Sequence, residues 1–202
     1  DYPEQVIDLE ASDRTSRYAR VLEYYVDSAE EARQTNAPLP DELIDLEFVR
    51  ARHVHFNDIG RNISFNGATL SHSDFWGADL NGSSFINADM QHSNFVFAKL
   101  RSTSFRRAQL ADASFAGADL SFADFTGADL TRARLGGAQL RCADLRGANL
   151  TDADVDIETL LPAYIAPETV LPTVISYEQI RAERARRNLR PNCANVREGV
   201  NS

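Results

Sequence analysis

His72, His92 and Asp112 stand twenty residues apart, and that spacing could bring them together for chemistry. In a chain that coils with a twenty-residue period, two imidazoles and a carboxylate stack at ~4.8 Å steps, within reach of a metal ion. Nothing in the sequence supplies groups to orient the rings, so the ladder reads as solvated polar side chains, with no metal and no cofactor. His53 and His55 read as structural. The sequence contains no G-x-S-x-G, no phosphate-binding loop and no H-E-x-x-H. Its many aspartates recur at one water-facing repeat position, which does not suit paired catalytic acids. A non-enzymatic protein is expected, with no catalytic residues.

Such a ladder needs an element with the right period, and the sequence has one. Every fifth residue from Phe65 to Val155 is apolar: seven Phe, ten Leu, Met90 and Val155. Two residues before each stands a small residue in most units, Ala in fourteen of nineteen. A five-residue period is neither the 3.6 of a helix nor the 2 of a strand. It describes stacked units that each bury little alone. The large residue points inward from a side, the small one points inward near a corner, and the polar residues face water. Glycines such as Gly67, Gly77, Gly117 and Gly127 suit the turns. Four units per coil then place Phe65, Phe85, Phe105 and Phe125 in one column. Phe75, Phe95 and Phe115 form the column opposite, with aliphatic columns between.

Runs such as GADLSFADFTGADL and CADLRGANLTDADV resemble the A-(D/N)-L-x-x units of pentapeptide repeat proteins. The resemblance implies an all-β solenoid, a right-handed quadrilateral β-helix. It covers residues 63–155, with α-helical flanking segments expected at both ends. The expected organisation is a helical, acidic N-terminal cap over 1–48, an irregular first coil over 49–62, the repeat over 63–155, and a C-terminal cap, helix and tail over 156–202. Within the caps, apolar spacing from Tyr18 to Ala29 predicts an amphipathic helix over 13–34. A second short helix is expected over 41–48 and an arginine-rich helix over 176–189.

The 202-residue chain carries a net charge of −9, unevenly placed. Residues 1–45 hold twelve acids and four bases, whereas residues 46–155 hold twelve and eleven. Some pentapeptide repeat proteins mimic duplex DNA and modulate DNA gyrase, conferring quinolone resistance. That mimicry implies an acidic rod, and this near-neutral body argues against it. No direct nucleic-acid contact is expected either. The reading adopted is a non-catalytic interaction or scaffold module with a protein partner. Trp76, Ile86, Val96 and Phe97, large apolar residues at water-facing positions, form the candidate interaction patch. The apolar, proline-broken C-terminal segment is where a homodimer contact is expected. A further alternative is a soluble domain of a membrane-tethered protein, since a helical lead-in resembles some bacterial anchored relatives. Membrane contact would then come only through an anchor before Asp1. Cys142 and Cys193, in no metal-like spacing, read as unlinked thiols of a reducing, cytoplasmic compartment.

Overall fold

A computed structural model describes Ile44, Asp45, Phe56 and residues 60–189. The chain winds as a four-sided coil. Parallel bridges join each side to the same side one coil on, as in Thr69↔Asp89, Asp89↔Gln109 and Gln109↔Asp129. Each side offers only one bridged residue before the next corner, so the ladder is built from isolated bridges rather than long strands. The named elements are β1 (Ile44–Asp45), β2 (Ile63–Ser64), α1 (Ile157–Leu160) and α2 (Tyr177–Arg186).

The five-residue unit closes on itself with a turn. Ala68 N–H donates to the Phe65 carbonyl at 3.1 Å, and the residue between, Gly67, has φ 65°. The same bond and the same left-handed corner recur down the rod. A turn with positive φ at its third residue favours Gly. Yet twelve non-glycine residues between Asn62 and Asp152 also hold positive φ, among them His72, His92, Phe97, Arg107, Phe122 and Cys142. The side-chain oxygen of Asp or Asn explains the polar position before the wall residue. Asp74, Asp119, Asp129 and Asn149 each accept from the backbone N–H two residues on, at 3.0–3.1 Å. These Asp and Asn side chains are turn-formers, which is why the sequence repeats them.

The wall residues are fully buried from Phe65 to Leu150. Within a column the phenyl rings stack, with Phe85–Phe105 at 5.1 Å and Phe95–Phe115 at 4.9 Å. Rings from opposite walls meet edge to face at 5.8–6.2 Å, as in Phe65–Phe75 and Phe95–Phe105. Both arrangements suit the ring quadrupole. Phe56 extends one column upward, stacking on Phe75 at 4.7 Å although it is one residue out of phase.

Four corners run along the rod. Following each coil, they are the corners of Arg106, His72, Trp76 and Phe122. The Phe65 column therefore lies between the Phe122 and Arg106 corners, and the Trp76 corner is diagonal to that of Arg106.

The ends differ from expectation in three respects. The helix expected over 41–48 is replaced at Ile44–Asp45 by a strand, paired in parallel with Ile63–Ser64. An open solenoid end leaves backbone groups unpaired, and a strand in register satisfies them where a helix cannot. The helix expected over 13–34, His53, His55 and the final tail lie outside the described residues. At the other end the ladder continues past Val155 through Asp144↔Tyr164 and Asn149↔Val170, the last step lengthening from twenty residues to twenty-one. Between Val155 and Tyr164, α1 interrupts the repeat, with Asp156 as N-cap accepting from Thr159 N–H at 2.7 Å. Finally, Cys142 is disulfide-bonded rather than a free thiol. Cys193, the other cysteine of the chain, lies outside the described residues. α2 begins at a Ser176–Gln179 capping box and buries Ile180 against the last coil. No helix among the described residues is long and apolar enough to cross a membrane.

Candidate interaction surface

The Trp76 corner carries the largest exposed apolar side chains of the rod. Trp76 is 51% exposed and Phe97 62%. Their rings meet edge to face at 6.5 Å, one coil apart. Val96, half-buried, lies directly below Trp76. Phe97 sits at the left-handed corner with φ 58°, and its ring lies over Gly117 on the next coil. A Cβ built on Gly117 would stand 2.5 Å from that ring, so glycine is required there for the ring to lie flat. Below it the corner continues with Ala116, Gly136 and Gly137, leaving a smooth apolar edge.

The structure joins Trp76, Val96 and Phe97 but not Ile86. Ten residues from Trp76 is two corners of the coil, so Ile86 sits on the diagonal corner above Arg106. There its N–H donates to Asn66 Oδ1 at 2.8 Å. A second exposed apolar set, Val170, Val174 and Leu189, lies beyond the last full coil.

His72 and His92 are stacked as the period demands, ring centres 4.6 Å apart and planes within 11°. Parallel rings aim their in-plane lone pairs alongside one another rather than at a common point, which is wrong for sharing a metal. Asp112, 3.8 Å from His92 Nδ1, is held by Arg132 through paired bonds of 2.9 and 2.6 Å. The bond to Arg132 holds the Asp112 carboxyl below the usual carboxylate range. Among the described residues no three His, Cys, Asp or Glu side chains are placed to hold a metal ion.

Six of the eight arginines between residues 61 and 155 gather on two neighbouring corners. Arg101 and Arg141 lie 5.3 and 5.9 Å from the centre of the Phe122 ring, one from each adjoining coil. Across the Phe65 column, Arg106, Arg107 and Arg146 line a groove of about 450 Å³ with Thr126, Gly127, Gly147 and Glu168. The groove exists because the side chains between the arginines are small or absent. Arg146 is closed on buried Asp144 by bonds of 2.9 and 2.8 Å.

A family described as "Pentapeptide repeat region" matches residues 61–135, and one described as "Pentapeptide repeats (8 copies)" matches residues 128–156. No curated protein matches the chain. Among solved structures, a pentapeptide repeat protein from Nostoc is 27% identical, covering 58% of this chain and 80% of its own, with TM-score 0.44. One from the Arabidopsis thaliana thylakoid lumen is 25% identical, covering 48% and 70%, with TM-score 0.40. QnrB1, a plasmid-mediated fluoroquinolone resistance protein, is 15% identical, covering 73% and 89%, with TM-score 0.36.

Proposed function

We propose that this chain, a pentapeptide repeat protein through its residues 61–156, is a non-catalytic interaction module that meets a protein partner at the corner of Trp76, Val96 and Phe97. We give the coil the right-handed sense of that family and the N-terminal segment a helical flank. The observation that carries the reading is Phe97. A bulky residue at positive φ costs roughly 1–2 kcal/mol relative to the right-handed region, and the seven corner glycines avoid that cost. An exposed phenyl ring adds a hydration cost. A side chain unfavourable on both counts is explained by what it binds. Trp76 and Phe97 together offer an aromatic anchor of the kind that dominates interface energetics.

Phe97→Gly separates binding from folding. It removes the ring and relieves the corner, so the melting temperature is expected to stay at or above the wild-type value. Recovery of bound protein on immobilised Phe97→Gly is expected to fall at least tenfold against wild type, and Trp76→Ala to fall less. Unchanged partners on both variants would make the corner simple packing surface.

The same reading gives the lower end a homodimer contact, because Val174 is 79% exposed and Val170 and Leu189 of the same end are exposed as well. Val174→Asp is expected to halve the mass read by light scattering. A wild-type mass equal to one chain removes this contact.

A further inference from the structure

The face between the Phe122 and Arg106 corners carries six arginines, of which Arg61 is held by Asp79 at 2.6 Å, and is distinct from the aromatic corner. Their pairing is uneven. Arg146 is fully engaged by Asp144. Arg101 stands 3.6 Å from Asp119, and Arg106 only 3.9 Å from Asp124. Among the described residues no carboxylate lies in ion-pair range of Arg107 or Arg141, and Glu168 is the one acid lining the groove. Arg107 also holds φ 55° in a column where Gly67, Gly127 and Gly147 stand at the equivalent corner. Two uncompensated guanidinium groups on one face, one of them at a strained corner, call for an acidic occupant.

We propose that this face binds the acidic N-terminal segment of the same chain, residues 1–43. That segment holds eleven acids against four arginines. The chain enters the rod at Ile44–Asp45, and the pairing Asp45↔Ser64 places that entry at the head of the column Ser64, Ser84, Ser104, Asp124, Asp144. This column is the midline of the arginine face. The segment therefore arrives directly above the arginines rather than on the aromatic corner. From Asp45 to the coils of Arg107 and Arg141 is three to five coil steps, about 14–24 Å at sheet spacing. Forty-three residues span this several times over, since an extended residue reaches ~3.3 Å. Arg107 and Arg141 take Asp and Glu side chains of the segment, and the groove beside Gly127 and Gly147 gives the segment room to lie against the corner.

Hydrogen exchange on the full chain at low ionic strength tests this. Amides of residues 1–43 are expected to exchange about fivefold faster in Arg107→Glu/Arg141→Glu than in wild type, with residues 65–150 unchanged. Adding Glu30→Arg/Glu31→Arg to that variant is expected to restore part of the protection. High salt is expected to act as the charge reversal does. Equal exchange of residues 1–43 in wild type and double variant overturns the proposal. So does wild-type protection that disappears on hundredfold dilution, because the occupant is then a second copy.

Discussion

Replacing Phe105 by Ala is expected to cost about 3–5 kcal/mol of unfolding free energy, near the top of what a single core truncation removes. Phe105 is fully buried. Its ring stacks between Phe85 at 5.1 Å and Phe125 at 4.9 Å, and meets Phe95 and Phe115 edge on at 5.8 Å each. Four aromatic contacts are lost at once. The cavity cannot close, because the wall is fixed from coil to coil: Phe105 N–H donates to the Asp124 carbonyl at 2.7 Å and Ser104 N–H to the Ser83 carbonyl at 2.9 Å. A globular core can shift a helix toward a void, but this coil has no element free to move inward. Position adds to the cost. In a stack where each coil touches only its neighbours, a weak coil at mid-height separates two shorter solenoids that each bury less. Phe105→Leu is expected to cost only ~1–2 kcal/mol, since Leu145 occupies the same column two coils below. Urea denaturation of the three proteins decides. A cost for Phe105→Ala below ~1 kcal/mol would mean that the wall yields, against the rigid coil described above.

The interior of the rod was legible because the five-residue period dictates which way each side chain points. Phe65 to Leu150 could be assigned to columns by counting, and the stacking distances follow from those columns. Counting fails where the phase slips. Phe56 joins a column although His55 is the residue in phase, and no sequence period signals a one-residue shift. β1 was hidden for another reason: Ile44 and Asp45 pair because an open coil end needs partners, which is a property of the fold and not of those residues. α1 had a usable signal, Asp156 as N-cap before Glu158, but four residues are too few for a helical period to show. At the surface, the contact between Trp76 and Phe97 followed from the twenty-residue coil. Ile86 was joined to them by treating it as a near neighbour, although ten residues carry the chain halfway round. The strain at Phe97, Arg107 and Phe122 was not legible, because seven glycine corners suggest the backbone conformation without showing that every unit keeps it.

Arg184→Met is expected to release α2 from the end of the solenoid, whereas Arg187→Met is expected to leave it docked. Arg184 is the half-buried one. Its Nε donates to the Leu161 carbonyl at 2.9 Å, and Nη2 donates to the Leu160 carbonyl at 3.2 Å and to that of Ala163. These carbonyls belong to the end of α1 and the turn after it, where a helix leaves acceptors without intrahelical donors. Burial pulls the guanidinium below its ordinary basicity, but it remains charged at neutral pH. A charged donor shared among three carbonyls contributes more than neutral bonds do, and its removal leaves those acceptors under α2, so about 2–4 kcal/mol of docking is lost. Met keeps the apolar stem and the length, which confines the loss to the donors. Arg187 grips Glu158 at 2.7 and 2.6 Å, but Glu158 is largely in water and Arg187 partly so. Exposed pairs of that kind contribute ~1 kcal/mol or less. Ile180 is the one fully buried side chain of α2, with Tyr177 only partly buried against the core, so the helix depends on Arg184 to a degree that a more amphipathic helix would not. Tryptic cleavage after Arg181, measured under native conditions, reads the released state directly. A rate increase of roughly tenfold or more for Arg184→Met, with less than about fivefold for Arg187→Met, is the expected pattern. Equal rates in the two variants would assign the cap to the exposed ion pair instead of the buried guanidinium.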